Sequence, residues 1–351
     1  MSKKIRELGI QIGQLPVGPK NCITDVEGVR IGHVTLDEPI DEKGTYACTG
    51  VTAILPHGGN LFKEKVTAAS YVINGFGKTT GLVQVNEIGV IESPIMLTNT
   101  FGVPAVTQGT LEYMLDSNPE IGVSTGTINI VVGECNDSYL NSIRSCPVKP
   151  NHAIEAIRKA TVEVAEEGAV GAGKGMICFG YKGGIGSSSR KVTFENEDLS
   201  FTVGCIVLSN FGESSELQAN RYQPQEAQKE STIKPTDGSI IIVLATDAPL
   251  SSRQLQRVIK RCGIGLGRTG SHYSHGSGDI VIGFTTAHKI SHFTKDLVET
   301  RAQLREDHPI MNLLFQAAAE ATEEAIMNSL SQATTTTGRD GHIVHSYNFG
   351  N

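Results

Sequence analysis

Apolar residues follow two rhythms along this chain. Short runs rich in β-branched residues, bounded by Gly, Asn, Asp or Pro, recur at residues 22–36 (CITDVEGVRIGHVTL), 50–56 (GVTAILP), 94–100 (PIMLTNT) and 127–134 (TINIVVGE). More follow at 191–195 (KVTFE), 201–210 (FTVGCIVLSN), 239–246 (SIIIVLAT) and 279–286 (DIVIGFTT). Each has the length and make-up of a strand. A period near 3.6 replaces them after Pro150 (151–169), after Pro249 (251–266) and at 311–333, with charges on one face and aliphatics on the other. The pattern predicts an α/β chain whose sheets form the core and whose helices cover them. Residues 217–238, LQANRYQPQEAQKESTIKPTDG, break both rhythms: polar, with two prolines, they predict a surface loop or linker. That stretch ends in Gly238-Ser239 and passes straight into IIIVLAT, a buried-strand signature.

Composition narrows the class. The chain has 351 residues, of which 39 are glycine, well above the usual ~7%, so tight turns and close backbone approaches are expected. Thirty Lys plus Arg against 37 Asp plus Glu gives a net charge of −7 with no basic block, so nucleic acid is not expected as a partner. No apolar run has the ~18 residues a spanning helix needs, and MSKKIRELGI lacks the core of a signal peptide, so no membrane segment is expected and the cytoplasm is the expected compartment. The seven cysteines are odd in number, scattered and without a C-x-x-C pair, which argues against a disulfide framework or a zinc ribbon.

Several motifs imitate known chemistry and fall short of it. GAVGAGKG matches a phosphate-binding loop except at its last position, where Gly175 replaces the required Ser or Thr, and a charged helix rather than a strand precedes it. GLGRTG, with Gly265, Gly267 and Gly270, lacks the βαβ context of a dinucleotide site. His272, His275 and Asp279 could ligate a metal, but surface histidines on a Gly/Ser-rich loop are the commoner explanation, and no metal is expected. No nucleophile elbow G-x-S-x-G stands in a strand-to-helix context. Cys135 beside Glu134 reads as a buried structural thiol.

Gly238-Ser239 carries a different possibility. Were the chain cut there, Ser239 would hold both a hydroxyl and a free α-amine of reference pKa ~8, so one residue would supply nucleophile and base. Taken alone, however, a Gly-Ser pair between a loop and a strand is an ordinary junction. The blocks around it say more. ITDVEGVRIGHVT from Ile23, TGVTAILP from Thr49, NGFGKTTGL from Asn74, ESPIMLTNT from Glu92, GAVGAGKGMICFGYKGGIGSSSR from Gly168, GSIIIVLATDAPL from Gly238, SGDI from Ser277 and TTTTGRDGH from Thr334 follow one another in order. In these blocks the chain resembles, nearly end to end, the DmpA-type L-aminopeptidase/D-amidase-esterase family, which includes the β-peptidyl aminopeptidases.

The resemblance implies a four-layer αββα sandwich, layered like the N-terminal nucleophile hydrolases and shared with ornithine acetyltransferase. It implies a single domain over residues 1–351 that cleaves itself into an α chain, 1–238, and a β chain, 239–351. Ser239 would be the new N-terminus and nucleophile, and Asn210 would stabilise the oxyanion. Ser277 and Asp279 would orient the nucleophile and its amine, Asp279 standing where some relatives have Glu. Glu134 would hold the ammonium of the substrate, with Asn136 where relatives often carry an aromatic residue. Asp137 and Asn141 would shape that loop, and Arg339 and Asp340 also match the family. Implied substrates are peptides, amino-acid amides or esters, with no metal or cofactor, in a homo-oligomer, typically a tetramer of processed units. The alternatives are an ornithine acetyltransferase-like acyl transferase, disfavoured because that enzyme uses threonine, a nucleotide-binding protein built on GAVGAGKG, and a non-catalytic paralogue that never processes.

Overall fold

The computed structural model describes residues 3–42, 44–194, 199–222, 238–294 and 296–350. Along the chain, β1 (Arg30–Pro39) and β2 (Tyr46–Leu55) form a hairpin and β3 (Glu64–Gly75) crosses to a second sheet. There follow α1 (Leu82–Ile88), β4 (Val90–Ile91), β5 (Ile95–Asn99), α2 (Val103–Ser117), β6 (Val131–Cys135) and α3 (Pro150–Arg158). A small hairpin, β7 (Ile177–Cys178) and β8 (Tyr181–Lys182), precedes the long antiparallel pair β9 (Gly184–Thr193) and β10 (Ser200–Asn210). The short α4 (Ala219–Tyr222) is followed by β11 (Ser239–Thr246), α5 (Ser252–Ile259), α6 (Cys262–Thr269), β12 (Gly278–Ser291) and α7 (Ile310–Ser331). Most of the polar stretch at 217–238, namely 223–237, lies outside the described residues.

Two sheets result, of order β1-β2-β5-β6 and β4-β3-β12-β11-β10-β9. Three apolar interfaces hold them between helices. Val106, Met114, Ala153 and Ile157 of α2 and α3 pack on Val51, Ala53, Met96 and Val132 of the smaller sheet. Ile54, Leu97 and Val131 on its inner face meet Ile206, Ile241, Val243 and Ile282 of the larger one. Leu255, Leu266, Ala318 and Ile326 of α5, α6 and α7 cover the far face, on Cys205, Ile240, Ile242 and Leu244. The order helix, sheet, sheet, helix is the αββα sandwich. It also explains why SIIIVLAT reads as an unbroken apolar run: β11 is central, and alternate residues bury against opposite layers. Its neighbour β12 runs parallel to it, and the crossover that a parallel pair requires is α5 and α6.

Three helical expectations are corrected. The helix expected over 151–169 stops at Arg158; Thr161 instead exchanges backbone hydrogen bonds with Ile31 of β1, at 2.9 and 3.0 Å, as suits the β-branched run TVEV. The helix expected over 251–266 is two helices, α5 and α6, broken between Ile259 and Cys262. The charges of α7 are not on a solvated face. Glu320, Glu323 and Glu324 are buried and each meets arginine: Glu320 and Glu324 reach the fully buried Arg190 at 3.1 and 2.7 Å, Glu324 also meets Arg6 at 2.8 Å, and Glu323 meets Arg221 at 2.7 Å.

Candidate active site

Three strand ends converge on Ser239. It is the first residue of β11, opposite Asn210 at the end of antiparallel β10 and beside Gly278 at the start of parallel β12. Ser239 is buried, and its Oγ donates to the carbonyl oxygen of the preceding Gly238 at 2.5 Å. The backbone N–H of Gly278 lies 3.3 Å from Ser239 Oγ and 3.3 Å from that same carbonyl oxygen. The hydroxyl thus sits alongside a carbonyl that already faces a backbone donor. Gly238 does not take a positive φ, so the left-handed strain that glycine would permit is not its role here. Its contribution is room: a Cβ there would stand 3.3 Å from Phe211 Cα and 3.4 Å from Ser277 Oγ. Gly278 is needed more sharply, because a Cβ would fall 2.7 Å from the Phe76 carbonyl oxygen.

Ser277 and Asp279 flank Gly278. Ser277 Oγ donates to Asp279 Oδ1 at 2.6 Å, while Asp279 Oδ2 is buried with no hydrogen-bond partner among the described residues. Burial disfavours the charged carboxylate and pushes its pKa up from 3.8 to about 6, against the opposing pull of the Ser277 hydroxyl. The loop bearing Ser277 is pinned from β3: Asn74 Nδ2 donates to the carbonyls of Ser277 at 2.6 Å and Ser274 at 2.9 Å.

Asn210 is fixed at both ends. Its Oδ1 accepts from Ile177 N at 2.8 Å and its Nδ2 donates to Asn136 O at 2.9 Å, leaving one amide hydrogen uncommitted among these contacts. Next to Ile177, Met176 is held by Lys182, a fully buried ammonium that donates to the carbonyls of Gly173, Met176 and Gly183 at 2.8–2.9 Å. Burial lowers this lysine's pKa from 10.5 to about 7.

Glu134 lies near the end of β6, buried, with both carboxylate oxygens engaged: Oε1 accepts from Lys78 N at 2.8 Å and Oε2 from the Thr100 hydroxyl. It opens with Ser239 and Asn136 onto one cleft of about 330 Å³, whose rim includes the half-exposed rings of Phe76 and Phe101. Asp137 and Asn141 tie the following loop to β2: Asn141 donates to Asp137 Oδ1 at 2.9 Å and accepts from Cys48 N at 3.1 Å. Burial raises the Asp137 carboxyl to about 7. Arg339 supports the same loop through Ser138 O at 2.8 Å and pairs with Asp340.

The structure therefore brings Ser239, Asn210, Ser277, Asp279, Glu134 and Asn136 around one cleft or its floor. It leaves His272 and His275 exposed on the loop before β12. GAVGAGKG is a packing segment: a Cβ at Gly175 would sit 2.2 Å from Cys48 O, and Lys174 pairs with Asp37 at 2.7 Å. In GLGRTG, Gly265 lets α6 approach α7, where a Cβ would fall 2.3 Å from Ala319 O. Cys135 is buried, its thiol held far above the usual range by desolvation. Residue patterns did not reveal the Gly278 N–H, a backbone donor that only strand register places. Residue patterns also give no sign that Asn74, Thr100 and Lys182 act as supports, although each lies within a block that carries the family resemblance.

The sequence profile of peptidase family S58 matches residues 21–344. The chain belongs to this family. It is 38% identical to the β-peptidyl aminopeptidase BapA of Sphingosinicella microcystinivorans, over 97% of this chain and 88% of that relative. The PH0078 protein of Pyrococcus horikoshii OT3 superposes with a TM-score of 0.88 at 47% identity, covering 98% of this chain and 96% of that one. The L-aminopeptidase D-Ala-esterase/amidase of Ochrobactrum anthropi, a serine aminopeptidase described as a variant of the N-terminal nucleophile hydrolase fold, superposes with a TM-score of 0.88 at 32% identity, covering 99% and 96%. This S58 chain is accordingly a hydrolase of the aminopeptidase/amidase class on that fold. Among its described residues no helix is long and apolar enough to cross a membrane.

Proposed function

We propose that this S58 chain, one domain as synthesised, cleaves itself between Gly238 and Ser239 and that the freed Ser239 is then its nucleophile. One observation carries the reading: Ser239 Oγ lies on the Gly238 carbonyl, and the Gly278 N–H reaches both oxygens. In the intact chain Oγ attacks the Gly238 carbonyl carbon, its proton leaves through Ser277 toward Asp279, and the Gly278 N–H supports the oxyanion. The C–N bond breaks, the nitrogen takes a proton to become the α-amine of Ser239, and water hydrolyses the resulting ester to leave a Gly238 carboxylate. The products are the α chain, 1–238, and the β chain, 239–351.

In the processed enzyme the α-amine accepts the Oγ proton and the oxygen attacks the first carbonyl of the substrate. Asn210, through its free amide hydrogen, and Gly278 N–H stabilise the oxyanion, and water resolves the acyl-enzyme. Glu134, already desolvated, binds the free ammonium that defines an aminopeptidase substrate, and Asn136 lines the same cleft. The substrates are peptides, amino-acid amides or esters, to be assayed in L, D and β forms. All seven cysteines are free thiols, which supports a reducing, cytoplasmic setting. Exposed Val83, Ile88, Leu297 and Val298 supply apolar surface that a homotetramer of processed units would cover.

Intact mass and N-terminal sequencing test the reading. Two fragments are expected, the smaller beginning Ser-Ile-Ile-Ile, and Ser239→Ala should leave one chain. An uncut wild-type chain that hydrolyses no alanine amide would overturn it in favour of a non-catalytic paralogue.

A further inference from the structure

The active-site cleft does not end at Ser239. A second cavity of about 320 Å³ adjoins it, and the two share Ser138, Ile143 and Arg144 as lining. The second cavity is lined otherwise by Ser, Thr and Asn side chains and by Arg339, with no acidic residue in its wall among the described residues. Its two guanidinium groups are not equivalent. Arg339 is already engaged, with Nε on Ser138 O at 2.8 Å and Nη1 on the Asp340 carboxylate at 2.9 Å. Arg144, exposed on the short 3-10 turn Ile143–Ser145, has no side-chain hydrogen bond or ion pair to any described residue.

An aminopeptidase substrate carries a cation at one end and, when it is short and free, a carboxylate at the other. Glu134 supplies the anion for the first, and it shares the cleft with Ser239 and Arg144. Arginine matches a carboxylate with two parallel hydrogen bonds, so a free guanidinium at the junction of the two cavities is chemically complementary to the leaving side of such a substrate. In a protein of net charge −7, an acid-free wall around that group also lowers the electrostatic cost of bringing in an anion.

We infer that the cavity around Arg144 is the leaving-group subsite and that Arg144 binds the C-terminal carboxylate of a short peptide, so that free dipeptides are preferred over their C-terminal amides. This rests on the aminopeptidase reading above, with Glu134 at the ammonium. Arg339 acts as a positioning residue that holds the Ser138 wall.

The test uses the processed enzyme and three probes in whichever of L, D or β form it turns over: an alanine p-nitroanilide, the free dipeptide Ala-Ala and its C-terminal amide. In the wild type, kcat/KM for the acid should exceed that for the amide by about tenfold, the size expected of one charge-assisted contact, with the difference carried by KM. Arg144→Gln should bring the acid-to-amide ratio down to about one, and Arg144→Lys should restore part of it. A wild-type ratio of one overturns the inference while p-nitroanilide turnover leaves the aminopeptidase reading standing. A wild-type ratio that survives in Arg144→Gln overturns the assignment to Arg144. Absence of turnover on all three probes overturns the underlying reading and the inference with it.

Discussion

In the intact chain Ser239 has no α-amine, so the proton that leaves its hydroxyl during self-cleavage needs another acceptor. Ser277 Oγ lies against Gly238 and is hydrogen-bonded to Asp279, whose second oxygen is buried without a partner. Only the ionised Asp279 can take a proton, and desolvation places that ionisation at about 6. The rate of cleavage should therefore climb close to tenfold per pH unit below 6 and level off above it. Asp279→Asn should slow cleavage by about 10² or more and flatten the profile, the usual size of a lost general base. Loss of the intact chain after cell-free synthesis, followed on gels from pH 4.5 to 8, measures both. A wild-type rate independent of pH across that range would remove Asp279 from the step.

At the scale of elements, legibility depended on where polar atoms find partners. The strands that bury both faces, β10, β11 and the start of β12, were plain as apolar runs, and with them came the positions of Asn210, Ser239 and Asp279 at their ends. Strand β3 was not, because Ala, Ser and Gly dilute its pattern, and α2 was not, because Val, Thr and Gly weaken its helical rhythm despite Pro104 near its start. In α7 the periodicity was correct while its meaning was inverted: the glutamates face inward to Arg6 of the N-terminal segment, Arg190 of β9 and Arg221 of α4, partners distant along the chain. Arg190→Met tests how much rests on that pairing. It leaves Glu320 and Glu324 buried without their shared cation, and loss of one partner of a buried pair costs about 3–5 kcal/mol. Denaturant unfolding of the uncut Ser239→Ala chain, with and without Arg190→Met, should show a loss of unfolding free energy of that size; a loss under about 1 kcal/mol would mean that Arg6 and the backbone donors suffice.

Across the whole molecule, the sandwich buries ionisable groups in each half, and their shifts give the fold a distinctive dependence on pH. Lys182 titrates near 7 in the folded chain and near 10.5 when unfolded, so between those values the unfolded chain binds more protons and stability rises with pH. Asp137 and Asp279 act the other way at lower pH: their folded values of about 7 and about 6 lie above 3.8, the folded chain binds more protons, and their contribution falls as pH rises through that window. Cys48, Cys178 and Cys262, raised from 9.0 to about 12, lower stability again above about 9. Between pH 7 and 9, then, Lys182 is the buried group in this set whose titration makes the fold stronger, with a slope limited to about 1.4 kcal/mol per pH unit by one proton. Lys182→Met keeps the bulk of the side chain and removes the titration. Subtracting its unfolding free energy from that of the parent, both in the uncut Ser239→Ala background, should give a difference that grows in the parent's favour from pH 7 to 9. A difference independent of pH would mean that Lys182 stays charged in its cage of carbonyls, and that the three hydrogen bonds to Gly173, Met176 and Gly183 outweigh its desolvation.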